Sequence, residues 1–584
     1  MMTAVVLSQP YLLEDNFNNQ LRLMQQVSHL AIDTEGTLNH PFATTWGLSS
    51  SAFGSAQYFP FNHRFGVNMP KEWLPRLKEV VYNHPCLVMH NAKHDLRALR
   101  ALFGEEYLGN FYCTMMMGHW VNENRFNQGL DSLSKAYGGH PKEMPDAAKS
   151  IIKAMELMGK NGWEYIPADL MYSYAAHDAF ITEELFPKVK FEFDEQEFDG
   201  NLWNVEQDFI RLMAKVEDNG VLIDQSLSER ELERGLGIMA DLQKELGFNP
   251  GSSKELGNFL INELGLPVIL RSKKTNKPSF NKAVMEVYDE LLSQRDDNRA
   301  KMILTYRGWA KTTSSNYKPY LELLGPDGRL HANFKLHGTK TGRMSCEHPN
   351  LQQIPKSGSK DWNGRLKQAF IVENGRTAWT FDFSQLEFRL GAAYGRQKRL
   401  IEIFNDDSRD VFTEMAKDLG LNRDRTKTLV YTTQFGGGVD RLMTVFGMSR
   451  LAAKAILDNF WTVNNGIAAA KNLAARRCLE NGYVRYWTGR RRHFMYPRDE
   501  AHKAFNAVCQ GGAFEIVKRR MVAIDKAGLN NDECRMDLQV HDELRFDIEN
   551  GKEDIYIPEI KRIMEDVRGF GVKFKVGADK WGAK

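Results

Sequence analysis

Trp379, Phe381 and Phe383 alternate with Thr380 and Asp382, a period of two that predicts a strand carrying Asp382 on the face opposite its aromatics. Leu538 and Val540 lead into His541-Asp542-Glu543, and Leu544, Phe546 and Ile548 return with the same period. That pattern predicts a hairpin with acids at its tip, where they can meet the acid of the first strand. Between these segments the period lengthens. Arg423, Lys427, Tyr431 and Phe435 recur every four residues, one slowly turning face of a helix over 422–434 that stops at Gly436-Gly437-Gly438. Nearer the N-terminus, His29-Leu30-Ala31-Ile32 reads as a buried strand entering Asp33-Thr34-Glu35, whose two acids share a face. Cys86-Leu87-Val88-Met89 reads as another, leading through Asn91 to Asp95, and Tyr174 and Asp178 stand one helical turn apart. Residues 205–216 are amphipathic at helical spacing, and further helical segments follow around 249–254.

The 584 residues allow three or four domains with ample core, and the acidic stretch 192–199 suggests a boundary near 194–200. A net charge of +2 does not announce nucleic acid, so any binding groove must come from segregated charge. Such segregation is visible at Arg485, Arg490-Arg491-Arg492 and Lys518-Arg519-Arg520, interleaved with Tyr483, Tyr486, Trp487 and Tyr496. Arginines among aromatics suit phosphate tracking and base stacking, which is the expectation for this stretch. Six cysteines without a CxxC pair, no signal peptide and no apolar run near eighteen residues predict a soluble protein of a reducing, cytoplasmic compartment.

The chemistry suggested by these patterns is phosphoryl transfer. Joining nucleotides needs two divalent ions about 4 Å apart, and aspartates on adjacent strands are the minimum the protein must supply, so Asp382 and Asp542 are the expected ligands. The helix between them covers about 18 Å, a length that suits a nucleoside triphosphate laid along it. Phosphates would meet Arg423 and Lys427, the sugar Tyr431 and the base pair Phe435. A β-branched, weakly held helix ending in glycines could swing closed over the nucleotide. Ser384 and Glu387, three apart before an apolar run, read as a capping box. In the N-terminal third, Asp33, Glu35, Asp95 and Asp178 can hold two metals, with the Tyr174 phenol orienting the attacking water or the scissile phosphate.

Residues 382–389, the 423–436 helix and Gln539-Val540-His541-Asp542-Glu543 closely resemble motifs A, B and C of family A DNA polymerases. The resemblance extends to Thr341-Gly342-Arg343-Met344-Ser345 and Pro349-Asn350-Leu351-Gln352-Gln353-Ile354-Pro355, similar to the segment that touches the primer terminus. It also takes in Asn506 and Gln510 before a basic helix and a closing Val576-Gly577 with Trp581. It implies that Phe383 joins Asp382 and Asp542 as a metal ligand, that Glu543 belongs to the catalytic set, and that Gln385, Arg343, Asn506, Gln510 and His541 bind substrate. Glu387 is implied to lie beneath the incoming sugar and exclude a 2′-hydroxyl, and Tyr431 to accept nucleotides lacking the 3′-hydroxyl. Two positions depart from the pattern: Phe435 replaces the more usual Tyr, and Phe412 stands where many relatives have a phosphate-binding His, with Arg409 as a neighbouring substitute.

The N-terminal constellation resembles the DEDD-type 3′→5′ exonuclease with tyrosine in its fourth motif, although His94 stands where Phe or Tyr often precedes Asp95. The implied architecture is multidomain α/β and α+β: an RNase H-like exonuclease domain (1–200) followed by a right-hand polymerase. Its parts are a thumb (201–335), a palm (336–405 and 500–584) and fingers (406–499). The implied cofactors are two Mg²⁺ or Mn²⁺ at the polymerase site and two divalent metals at the exonuclease site. Implied partners are primer-template DNA and deoxynucleoside triphosphates, with a replicative helicase/primase and a single-strand-binding protein beyond them, no membrane, and a monomeric state. Asp33 lies so near the start that no 5′-nuclease domain is expected before it, and the thumb lacks room for a long processivity loop. With Arg423-Asp424 and Tyr431, this compact form looks most like bacteriophage replicative polymerases, acting in the host cytoplasm. Single-subunit RNA polymerases share the palm acids and the basic-aromatic helix, but Glu387 and the exonuclease acids argue against them. The intact acids at both sites argue against a DNA-binding factor without activity.

Overall fold

Period-two alternation builds the C-terminal sheet as expected. In the computed structural model, which describes residues 6–7, 13–37, 42, 44–198, 200–272, 274–354, 365–434 and 436–582, strand Arg376–Phe383 lies inside a four-stranded antiparallel sheet. The order is Cys534–Val540, Glu543–Glu549, Arg376–Phe383, Val576–Lys580. Phe381 and Phe383 are buried and Asp382 is exposed on the opposite face. Phe381 meets Phe546 edge to face at 5.5 Å, locking the two strands on their apolar side. The predicted hairpin is present, turned by His541 and Asp542, with His541 at φ 58° in the left-handed region that tight two-residue turns demand. Asp382 pairs in register with Glu543, and the Phe383 amide donates to the Asp542 carbonyl at 3.3 Å. The three acids therefore reach one end of the sheet.

The N-terminal sheet has six strands, ordered Val6–Leu7, Ser55–Pro60, Thr45–Ala52, Leu30–Gly36, Cys86–Met89, Asn110–Cys113. Leu30–Gly36 runs antiparallel to Thr45–Ala52 and parallel to Cys86–Met89, the strand predicted with those bounds. Helix Ala168–Asp194 packs across this sheet and brings Tyr174 and Asp178 to it. Between the sheets, strand Val221–Leu222 pairs with Arg329–Leu330, so the chain leaves and returns at one point. The excursion holds helices Gln225–Leu246, Lys282–Ser293 and Arg299–Thr312 and a small core of its own around Leu256, Phe259, Leu260, Tyr288 and Ile303. Helices Lys398–Asn405, Val411–Leu419, Arg423–Gln434, Val439–Phe446, Arg450–Val463 and Asn465–Asn481 follow; Asn422 caps Arg423–Gln434 by accepting from the Arg425 amide.

Two expectations change. The amphipathic helix of 205–216 exists, as Leu202–Asn219, but it packs against helices Ala92–Phe103 and Ala504–Lys526 and strand Cys534–Val540, ahead of the excursion that leaves at Val221 and returns at Leu330. It carries buried acids to both sides. Glu217 pairs with Lys93 and Arg97 of the N-terminal domain, and Glu206 with Lys518 of the C-terminal one at 2.6 Å. The basic-aromatic stretch is the second correction. Arg490, Arg492 and Lys518 are 2%, 6% and 1% exposed, so they are not a surface for phosphates. Arg490 pairs with Glu515 at 3.3 Å and meets His119, while Arg492 pairs with Glu123 at 2.8 Å. Arg485 and Arg491 donate to the Gln196 and Glu195 carbonyls, and Arg520 to the Asp566 carbonyl. Arg519 lies over Trp487 at 5.1 Å. Burying a guanidinium requires an acid or a row of carbonyls, and the N-terminal domain supplies Glu123 and the carbonyls of Glu195 and Gln196.

Breaking one such pair leaves a stranded charge. Glu217→Ala, which leaves Lys93 without its acid and Arg97 with Asp218 alone, is expected to destabilise the protein by about 3–5 kcal/mol. Lys135→Ala, which removes only an exposed pair with Asp131, is expected to change stability by less than about 1 kcal/mol. Chemical unfolding of the two variants, followed by tryptophan fluorescence, checks the contrast; equal effects would mean that the interdomain pair is not desolvated.

Candidate functional site

The first constellation gathers at the end of the C-terminal sheet. Burial pushes the Asp542 carboxyl up to about 6, with Glu387 and Glu543 adding to the effect and Arg343 opposing it. Phe383 is buried in the core, so only its backbone carbonyl can serve as a ligand. The hairpin tip is held from behind. Gln539 donates to the His541 carbonyl, and Gln352 donates to the Gln539 side chain at 2.8 Å. The expected primer-terminus segment is thus tied to the acids, though its last residue, Pro355, lies outside the described residues. Gly342, at φ 81°, leaves room for Arg490, whose guanidinium would stand 2.6 Å from any Cβ there.

Glu387 is where reading and structure part. Helix Leu386–Tyr394 starts after Gln385, which sits at φ 51° and makes no side-chain cap, and the Ser384 amide is taken by the Lys575 carbonyl. No capping box forms. The Gln385 carbonyl instead accepts the Phe388 and Arg389 amides. Glu387 is freed to pair with Arg343, and burial holds its carboxyl above the usual range against that cation. Tyr431 faces the same acids: burial raises its phenol, and the charges of Asp542, Asp382 and Glu387 raise it further.

The rest of the helix row is partly engaged. Arg423 donates to both Asp410 oxygens, at 2.9 and 3.1 Å, and Lys427 is exposed. Phe412 lies between them and the phenol, 5.8 Å from the Arg423 guanidinium, 6.0 Å from the Lys427 ammonium and 5.9 Å from the Tyr431 ring. In place of an expected histidine, an apolar ring aligns the two cations through its π face. The neighbouring Arg409 is paired with Glu414 at 2.9 Å. Phe435 lies outside the described residues. Asn506 and Gln510 are within the long helix Ala504–Lys526 and not before it, four apart and both half-buried. Asn506 Oδ1 is buried without a hydrogen-bond partner among the described residues and lines a small cavity with Phe388 and Gly436.

The second constellation brings three of its acids together, with the fourth beside them. Asp33 and Glu35 project from one face of Leu30–Gly36, and ligand oxygens of Asp33, Glu35 and Asp178 lie within 4.8 Å of one another. Asp95 stands beside them on helix Ala92–Phe103, one oxygen fixed by the Thr34 hydroxyl at 2.8 Å and the Thr34 amide at 3.1 Å. His94 is neutral in its setting: burial lowers its imidazole to about 4, and its Nε2 faces the Thr34 carbonyl at 3.3 Å. Burial first, and the neighbouring acids second, push Asp33 well up and Glu35 up to about 8. Burial takes Asp95 up to about 7 against the Thr34 hydrogen bonds. Asp95 Oδ2 and Asp178 Oδ1 are buried with no hydrogen-bond partner among the described residues. Crowded, dry carboxylates with orphaned oxygens are a donor set that fits divalent cations. The sequence reading missed Lys142, whose ammonium pairs with Asp178 and lies 4.8 Å from the centre of the Tyr174 ring. It comes from a loop with no periodic relation to either residue, so no local pattern marks it.

Comparison with known proteins follows the same division. Residues 226–583 match the family model described as DNA polymerase family A, and residues 11–193 the one described as 3'-5' exonuclease. DNA polymerase I of Pseudomonas aeruginosa is 28% identical over 593 aligned positions, covering 94% of this chain and 62% of that protein. The thermostable DNA polymerase I of Thermus aquaticus is 30% identical over 429 positions, covering 69% of this chain and 50% of that one. The chain therefore spans only about half to three-fifths of the length of such relatives. These relatives are bacterial and give no support to the phage type expected from the compact arrangement. A solved structure, the POL domain of Pol1 from M. smegmatis in complex with DNA primer-template and dNTP, shares the fold. Its TM-score is 0.81 at 22% identity, over 96% of this chain and 97% of that one.

The raised carboxyls of the second constellation set a pH dependence. Groups whose folded pKa is raised favour the fold while protonated, so their contribution is complete below about pH 4.5 and is lost as pH rises through about 8. In chelator, the melting temperature of the N-terminal domain should fall across that window. Mg²⁺ should raise it, most at the alkaline end where the acids are charged. Asp33→Asn should flatten the chelator curve. Thermal melts in EDTA and in Mg²⁺ across the range check this, and a Mg²⁺ gain that is larger near pH 5 than near pH 8 would contradict it.

Proposed function

From the premise that this chain belongs to DNA polymerase family A and has that family's 3'-5' exonuclease domain on its N-terminal side, we propose that it extends a DNA primer along a template and removes nucleotides from the 3′ end at a second site. The observation that best supports the reading is the meeting of Arg343, Asp382, Glu387, Tyr431 and Asp542 around one carboxylate cluster, from positions far apart in the chain. In this reading residues 1–200 are the exonuclease, 201–335 the thumb, 336–405 with 500–584 the palm, and 406–499 the fingers, with the helix Leu202–Asn219 bridging the first domain and the palm.

Asp382, Asp542 and the Phe383 carbonyl would hold two Mg²⁺ or Mn²⁺ ions, and Asp33, Glu35, Asp95 and Asp178 two more. When bound, such ions activate the attacking oxygen and neutralise the phosphates. The residues of the chain do the rest. Arg423 and Lys427 take the triphosphate, Arg423 exchanging Asp410 for it. Tyr431 lies along the sugar, and Glu387, held by Arg343, fills the space beneath the 2′-carbon. Asn506, Gln510, Gln385 and His541 contact the primer-template and the nascent pair, and Glu543 supports Asp382 across the strands. At the second site Tyr174 orients the attacking water. Primer-template DNA and deoxynucleoside triphosphates are the proposed substrates, with a helicase/primase and a single-strand-binding protein as partners of a cytoplasmic monomer. Among the described residues no helix is long and apolar enough to cross a membrane. Replication of a phage genome is the finer reading, supported by the Arg423-Asp424 and Tyr431 pattern alone. Extension of a primed template with deoxy- or ribonucleotides in Mg²⁺ tests the reading against RNA synthesis and against mere DNA binding.

Because the two clusters lie in separate domains, Asp382→Asn or Asp542→Asn should abolish nucleotide addition and leave degradation of single strands intact. Asp33→Ala with Glu35→Ala should do the reverse; loss of both activities in either folded variant would contradict separate sites.

Tyr431→Phe removes one oxygen and leaves stacking area and helix propensity almost unchanged. If the phenol stands in for a missing 3′-hydroxyl, preference for dideoxy over deoxy nucleotides should fall by about 1–3 kcal/mol, read as the ratio of the two incorporation rates on one template. An unchanged ratio would mean that Tyr431 does not face the sugar.

A further inference from the structure

We propose that Lys142 is a catalytic residue of the exonuclease site, setting its ammonium against the scissile phosphate; the inference rests on the exonuclease reading above. Lys142 lies between helices Leu130–Ala136 and Asp146–Leu157, outside every segment that the family resemblance singled out. Its loop is stitched to helix Ala168–Asp194 at three successive residues. The His140 imidazole meets Glu184 at 3.0 Å, the Pro141 carbonyl meets the His177 imidazole at 3.0 Å, and the Lys142 ammonium pairs with Asp178. From the other side, the Lys142 amide donates to Asp131 at 3.0 Å. A lysine whose backbone is secured on both flanks presents its ammonium at a defined place, with the Tyr174 ring 4.8 Å from it.

Asp178 distinguishes this role from that of a temporary counter-ion. Its Oδ2 takes Lys142, while its Oδ1 is buried without a hydrogen-bond partner among the described residues. One carboxylate can therefore serve the lysine and a divalent cation together, and the ammonium need not leave when a metal arrives. It stays beside Tyr174, where the reacting groups assemble.

The reaction needs a cation there. Hydrolysis forms a bond from the water oxygen to phosphorus and breaks the bond from phosphorus to the 3′-oxygen of the preceding nucleotide. That 3′-oxygen takes one proton of the water, and the released 5′-monophosphate keeps the other or gives it to solvent. Charge grows on the non-bridging oxygens as phosphorus becomes five-coordinate. A fixed ammonium aimed at them stabilises that state more than the starting diester, without gaining or losing a proton.

The test uses the full chain, a single-stranded oligonucleotide and saturating Mg²⁺, with Lys142→Met, Lys142→Arg and the wild type compared. Lys142→Met is expected to lose about 100-fold or more in the kcat of degradation with KM changed by less than about threefold, and Lys142→Arg to recover part of the loss. Primer extension should be unchanged, which also reports that the variants are folded. Mn²⁺ binding to the site, followed by electron paramagnetic resonance, should be as tight in Lys142→Met as in the wild type or tighter. Degradation by Lys142→Met within about twofold of wild type would overturn the proposal and leave Lys142 a counter-ion. Loss of Mn²⁺ binding together with the rate would overturn it in favour of a structural role. A wild type that degrades nothing would instead overturn the exonuclease reading, and the proposal with it.

Discussion

A slip of one residue between Arg376–Phe383 and Glu543–Glu549 would turn Asp382 into the core and set Phe381 and Phe383 in water. The apolar face forbids it. Phe381, Phe383, Leu544, Phe546 and Ile548 are all buried, and a shift by one residue strands them and buries a carboxylate at a cost of several kcal/mol. Hydrophobic burial on one face of this sheet thus decides where the acids stand on the other. The turn residues finish the work: His541 in the left-handed region brings Asp542 round to the end of the first strand, within reach of Glu387 and its partner Arg343.

Carboxylates gathered in this way repel one another, and the two sites relieve the repulsion differently. At the sheet end the relief is partial and local, from Arg343, and Asp382 stays exposed to solvent. In the N-terminal domain the acids are drier, and Thr34 and Lys142 supply the opposition. The drier cluster holds its protons more strongly, so it depends more on whatever cation it binds.

The seating of one domain on the other is also electrostatic. Helix Leu202–Asn219 turns Glu217 toward Lys93 and Arg97 and Glu206 toward Lys518, and Glu123 reaches across to Arg492. Lys93 lies two residues before Asp95, so the interdomain contact is built into the helix that carries a site acid. Each pair is deeply buried, and displacement of either domain would leave several charges without partners or water.

Local periodicity determined a great deal. The strands at 30–36, 86–89, 376–383 and 534–549, the helix at 423–434 and the faces on which Asp33, Glu35 and Asp382 stand all follow from alternation within a few residues, because side-chain direction in a strand or helix is set by the backbone repeat. What local pattern could not decide was partnership. Ser384 and Glu387 have the spacing of a capping box, yet Glu387 goes to Arg343, because the cap position falls one residue later, at Gln385, and the helix starts at Leu386. Arg490, Arg492 and Lys518 look like a nucleic-acid surface, yet they are buried: Glu515 meets Arg490, and Glu123 and Glu206, from far earlier in the chain, meet Arg492 and Lys518. Lys142 carries no local signal and owes its place beside Asp178 to a loop fastened by His140 and Pro141. A charge announces that it needs a partner; only the packing of distant segments chooses which partner it finds.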